Sequence, residues 1–188
     1  MAEVPNYYII SGHRVPRPTS IKEGPELPGG PWMHGRRITI AVPEPLRYAL
    51  DPAYPGDLQP MYKFAVPLMR DDLIEALRAG GVDNLETFRA VLRDVDGKEH
   101  QNYKAFNVVG VVSCANMVKS GRMGTPDGNL IDADLDRVVL DEARAGGLLM
   151  FRLAEAVNAI VVHRQLKEVI EARKIKGMKF YGPGEWSG

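Results

Sequence analysis

Cysteine is almost missing from this chain. Cys114 is the single cysteine in 188 residues. No intramolecular disulfide can form, and a reducing, cytoplasmic setting is the expectation. A chain of this length buries roughly 70% of its unfolded surface, so it needs no covalent or metal staple. Long apolar runs are missing too. The longest nearly apolar stretch, AFNVVGVVSCANMV from Ala105 to Val118, is interrupted by Asn107, Ser113 and Asn116. It falls short of the roughly 18 residues that a membrane span requires. The opening MAEVPNYYIISG has no basic segment followed by an apolar run, so no secretory leader is expected. Charge of one sign is also lacking, with Lys+Arg and Asp+Glu at 24 each. A net charge of zero argues against non-specific nucleic-acid binding, and neither a nucleic-acid nor a membrane partner is expected.

Catalytic signatures are equally scarce. His13, His34, His100 and His163 stand apart from one another, without metal-ligand spacing and without a nearby cysteine. No GxSxG elbow, HExxH helix or glycine-rich dinucleotide fingerprint occurs. GRMGTPDG, Gly121 to Gly128, has the glycines of a phosphate loop but not its Gly-Lys-Ser/Thr ending, and reads as a polar connection. Cys114 ends an apolar strand-like run and reads as a small buried hydrophobe rather than a nucleophile. No catalytic, cofactor-binding or metal-binding residue is assigned, and no cofactor is expected.

Proline divides what is present. Twelve of the 14 prolines lie at or before Pro67. That region has room for short strands at NYYII and RRITIAV, with RVPRPTSIKEGPELPGGPW between them as an irregular wrap. The expected organisation is a Pro-rich N-terminal extension, residues 1–66, packed on an α+β domain, residues 67–188.

The second region contains a near-repeat. MRDDLIEALRAGGVDNLETF, Met69 to Phe88, falls on VHRQLKEVIEARKIKGMKFY, Val162 to Tyr181, after a shift of 93 positions. Leu73 lands on Leu166, Leu77 on Ile170, Val82 on Ile175, Leu85 on Met178 and Phe88 on Tyr181. Each copy reads as an amphipathic helix followed by a strand. In the first, Asp72 and Glu75 have capping-box spacing, Asp71 being the alternative cap, and Gly80-Gly81 stops the helix. In the second, Arg173 and Lys174 take the place of the glycines and suit the negative end of the helix dipole. Leu85–Arg93 and Tyr103–Val112 flank Asp96-Gly97 as a hairpin. Arg137–Leu140 and Leu148–Leu153 flank Gly146-Gly147 as a second one. The expected fold is α+β, with helices packed on an antiparallel or mixed sheet and a pseudo-duplicated helix–strand unit joined to that one sheet. The alternative is chance likeness between two amphipathic helices.

Charge is unevenly distributed. From Asp127 to Glu142 there are six acids against one base, Arg137; from Arg164 to Lys179 there are six bases against Glu168 and Glu171. The acidic segment fits a solvated edge that prevents sheet association, a contact for a basic partner, or a cation site. As a partner surface it offers Asp132, Asp134, Asp136, Asp141 and Glu142. Trp32 in the N-terminal wrap is a further candidate, either as an interface anchor or as a core residue.

The runs VPLMRDDLIEALRAGGVDNLETFRAVLRD, NYKAFNVVGVVSC, RVVLDEARAGGLLMFRLAE and AIVVHRQLKEVIEARKIKGMKF, in that order, resemble the bacterial polymorphic-toxin immunity proteins of family eleven. The resemblance covers about Pro67 to Tyr181, and the NYYII opening suits it. The family often has a serine ahead of each helix where this chain has Arg70 and His163, and the Pro-rich insert has no counterpart that we could match. The resemblance implies a non-enzymatic antidote that binds a cognate protein toxin, often one delivered by contact-dependent or type VI secretion. A nuclease toxin with a basic cleft would suit the acidic segment. A small cytoplasmic hydrolase and a homo-oligomeric structural module are the alternatives. The first would be marked by a deep pocket with convergent polar groups, the second by a large apolar patch repeated across a symmetry axis.

Overall fold

The computed structural model describes residues 4–27, 32–121 and 135–187. Its elements run β1 (Tyr7–Ser11), β2 (Ile21–Glu23), β3 (Leu46–Leu50), β4 (Met61–Tyr62), β5 (Leu68–Arg70), α1 (Asp71–Ala79), β6 (Leu85–Arg93), β7 (Glu99–Val108), β8 (Val111–Val112), a 3-10 turn at Glu142–Ala145, β9 (Met150–Leu153), β10 (Ala156–His163), α2 (Arg164–Ala172) and β11 (Lys179–Tyr181). The expected single sheet is replaced by two mixed ones. A five-stranded sheet has the order β11-β1-β10-β9-β8, and a six-stranded sheet the order β2-β3-β6-β7-β5-β4. The fold class is α+β, strand-rich with two helices among the described residues.

Both helices form where the sequence places them, and for the same reason. Leu73, Ile74, Ala76 and Leu77 on α1, and Leu166 and Ile170 on α2, are buried on one stripe. The caps differ from the expectation. The N-cap of α1 is Arg70, which makes no side-chain cap, and Asp72 is occupied by the Arg70 guanidinium in a two-pronged pair at 2.8 and 2.7 Å. At α2 the N-cap His163 accepts from the Gln165 amide through Nδ1 at 3.2 Å.

The two helix units match in detail. Their N-caps have φ, ψ of −77°, 146° and −70°, 150°; their C-caps, Gly80 and Arg173, have −77°, −2° and −79°, −1°. Each then turns through a left-handed residue, Gly81 at φ 102° and Lys174 at φ 55°. The amides of Gly81 and Val82 reach the Arg78 and Leu77 carbonyls, and those of Lys174 and Ile175 reach the Glu171 and Ile170 carbonyls. Both ends are therefore Schellman motifs.

The strand pairing matches as well. β5 and β6 flank β7 and are antiparallel to it, so they run parallel to each other with α1 as the crossover; β10 and β11 flank β1 in the same way with α2 as the crossover. Arg70 faces Tyr103 and Phe88 faces Ala105, as His163 faces Tyr7 and Tyr181 faces Ile9. Outside them, Met61 faces Met69 and Met150 faces Val162. One difference is order along the chain. The middle strand β7 follows its unit, whereas β1 comes from the opposite end of the sequence.

Alternation along the strands divides the core in three. Ile10, Phe106, Val108, Ile160 and Val162 point between the sheets and meet Leu73, Leu77, Leu166 and Ile170 of the helices. Tyr7, Ile9, Phe151 and Val161 point to the outer face of the five-stranded sheet, which is covered by Cys114, Leu135, Val138 and Trp186. Leu46, Tyr48, Leu68, Tyr103 and Ala105 line the outer face of the other sheet, covered by Trp32 with the partly buried Ile21, Leu27, Ile38, Val42 and Leu58. The Pro-rich wrap thus supplies a side of the core. Strands from before residue 67 interleave with later ones in both sheets.

Two local expectations fail. RRITIAV is not a strand; the strand of this region is LRYAL, β3. Ile38 donates its amide to the Glu86 carboxylate at 3.0 Å, so a side chain meets the donor that a ladder would have used. No hairpin spans Gly146-Gly147 either. The segment ahead of it forms one isolated bridge, Ala115 to Leu140, and β9 pairs with β10 and β8.

Candidate partner-binding surface

Of the acidic candidates, Asp132 and Asp134 lie outside the described residues, as does most of GRMGTPDG. Leu135 is fully buried and Asp136 is exposed, so the alternation of this segment turns its aspartate outward. The Asp141 side chain is 44% exposed and lies 3.8 Å from Arg144 Nε. Glu142 is employed inside the molecule. Its carboxylate accepts from the Asn6 amide and side chain at 2.8 Å each and from the Tyr7 amide at 3.3 Å, anchoring the start of β1. Trp32 is a core residue, 3% exposed, edge-on to Phe88 with ring centroids 5.1 Å apart. Its carbonyl accepts from Arg152, a buried guanidinium that also donates to the Val157 carbonyl. Burial pulls the Arg152 pKa down to about 10, which leaves it charged at neutral pH. The sequence carries no sign of this buried cation, because a lone Arg in a strand pattern normally reads as solvent-facing.

The basic segment at α2 has a different organisation. Arg164 and Lys167 pair with Glu168 and Glu171 one turn on, at 3.8 and 3.0 Å. Arg173, Lys174, Lys176 and Lys179 are exposed, and none has a carboxylate within ion-pair distance among the described residues. Arg14 joins them, its amide donating to the Gly177 carbonyl at 2.9 Å. The turn borders a groove of about 630 Å³ whose lining includes Arg70, Asp72, Glu75, Arg173, Lys174 and Lys176.

Among the described residues the cysteine and the histidines are dispersed. Cys114 is fully buried; desolvation, then the charges of Glu155 and Asp141, push its thiol up to about 12, so it stays protonated at neutral pH. His100 is bonded to Asp94 at 2.7 Å at a hairpin end, His163 caps α2, and His34 is exposed. Burial, then the Lys63 charge, lowers the pKa of His13. No group of three or more metal-ligating side chains occurs among the described residues, and no described helix is long and apolar enough to cross a membrane.

The described residues thus form two mixed sheets around a shared helical core, with charged segments on the surface. A model of the immunity protein family Imm11 matches residues 5–184, and the chain belongs to that family. The match takes in the Pro-rich wrap as well as the region from Pro67 to Tyr181 that carries the resemblance. A search of curated proteins returned no match.

Proposed function

We propose that this protein protects the cell that makes it by binding a cognate protein toxin and blocking it, without chemistry of its own. Membership of an immunity protein family is the observation that carries the reading. The protonated, buried thiol of Cys114 and the structural employment of His100 and His163 are in keeping with it. The toxin is a secreted antibacterial protein, delivered by contact or by a type VI route, and a nuclease is the activity that an acidic contact would suit. The complex forms in the cytoplasm. Among the described residues of the acidic segment Asp136 is exposed and Asp141 is half-buried with an accessible carboxylate, and the two are proposed as one toxin contact. A neutralising interface of this kind covers about 1,200–2,000 Å².

The test is co-expression with the toxin encoded beside this gene. Restored growth and a stoichiometric complex of the purified proteins support the reading. Growth arrest despite soluble protein, or neutralisation with no complex formed, defeats it.

We propose also that β4–β5–α1–β6–β7 and β9–β10–α2–β11 with β1 are two copies of one unit. Matching strand registers and matching Schellman turns support this, and the position of β1 makes the second copy a circular rearrangement of the first.

A further inference from the structure

The two helix ends share a backbone but not a chemistry. After α1 the chain turns through Gly80-Gly81; after α2 it makes the same turn through Arg173-Lys174. The left-handed position is Gly81 in one and Lys174 in the other, and Lys174 is the single non-glycine residue with positive φ among those described. A lysine at φ 55° carries a steric cost that glycine does not. The helix dipole does not require that cost. Arg173 already places a cation at the end of α2, and α1 closes the same turn with Arg78 in its last turn and glycine at the left-handed position. The side chain of Lys174 therefore needs another reason, and backbone strain of this sort gathers at functional surfaces.

The surroundings supply the reason. Arg173, Lys174 and Lys176 project on one wall of the groove of about 630 Å³ and are free of carboxylate partners among the described residues. The groove also has Glu75 and the Arg70–Asp72 pair. Arg70 compensates Asp72, so Glu75 is the one acid of the groove without a base beside it, and a nucleic acid or an anionic membrane, presenting one sign of charge, would leave it unmatched. A protein surface carries both signs. We propose that Arg173, Lys174 and Lys176 form a docking site for a carboxylate-bearing surface of the toxin polypeptide, with Glu75 facing a base on the same partner. This rests on the toxin-binding reading above, and it names a surface distinct from Asp136 and Asp141.

The experiment uses the full chain and the purified toxin encoded beside it. Lys174→Gly is measured for thermal midpoint and toxin affinity, beside the triple variant Arg173→Gln, Lys174→Gly, Lys176→Gln. Lys174→Gly is expected to keep or raise the midpoint, because the strain is removed, while weakening toxin binding. The triple variant is expected to lose about tenfold or more in affinity at low salt and to flatten the salt dependence of association. Wild-type affinity and salt dependence in the triple variant overturn the proposal. So does a lowered midpoint for Lys174→Gly, which would make the lysine a structural cap. Loss of binding to a DNA duplex or to anionic vesicles with toxin affinity intact overturns it in favour of those partners. If the wild-type protein fails to bind the toxin at all, the immunity reading itself falls, a result separate from any effect of these variants.

Discussion

Glu142 holds Asn6 from the far side of the chain, accepting both its amide and its side-chain nitrogen at 2.8 Å. The contact closes the five-stranded sheet, because β1 has no neighbour in sequence to pair with and lies between β10 and β11. Glu142→Ala leaves two donors of Asn6 and the Tyr7 amide short of an acceptor. The expected cost is about 1–3 kcal/mol of stability, read as a shift in the urea midpoint. Toxin affinity of the folded variant should be unchanged. A loss of affinity at unchanged stability would return Glu142 to the partner surface.

Leu73 and Leu166 lie at the same position of the two units and both are 0% exposed. Leu73→Ala and Leu166→Ala are each expected to cost about 2–5 kcal/mol by chemical denaturation. Both helices enter one core, so the two changes should not add independently. Additivity would indicate that the two helices fold as separate units.

Asp94 should impose an acid limit on the β6–β7 hairpin. Its carboxylate accepts from His100 at 2.7 Å and from the Asp96 and Lys98 amides at 3.0 and 2.9 Å. The His100 bond first, against some desolvation, and then these amides hold its carboxyl below the ordinary value of 3.8. A carboxylate depressed in the folded state contributes stability that is complete above its unfolded pKa and is lost as pH falls through the folded one. Stability of the native protein should therefore decline below about pH 4. Asp94→Asn should be less stable at neutral pH and should decline less steeply in acid. An identical acid profile in the variant would remove Asp94 from the account.

Asp136→Asn with Asp141→Asn tests the acidic contact. If these residues meet a basic toxin cleft, the double variant should associate more slowly at low salt, with dissociation little changed. Stopped-flow association at low and moderate salt measures it. Unchanged kinetics at both salts would leave these aspartates as a solvated edge.

Cys114 should prove dispensable for protection. Its thiol is buried and protonated, so a thiol reagent should modify it only on unfolding. Cys114→Ala should neutralise toxin as well as the parent does, once folding is matched. Loss of protection in a folded, toxin-binding variant would point to chemistry at this residue.

Much of the architecture is written locally. The stripe Leu73, Ala76, Leu77, the glycine pair after it, and the Asp96-Gly97 turn between two apolar runs specify α1 and the β6–β7 hairpin, because their determinants lie within a few residues of one another. The family itself was recognisable from the same runs. The likeness of the two helix units was also legible, since equal burial demands equal spacing of apolar side chains.

What the sequence by itself determined, then, is which segments become helix or strand wherever hydrogen bonds and hydrophobic period are local. Only the tertiary structure decided which strands meet. β1 completes the unit of α2 from the opposite end of the chain, so one expected sheet became two, and no periodicity carries that information. The same long-range packing put Trp32 in the core and bound the half-buried Glu142 to Asn6, because burial and pairing depend on which residues approach from far along the chain. It also placed Lys174 in the left-handed conformation that Gly81 takes after α1, where its charge borders a groove lined from four segments of the chain.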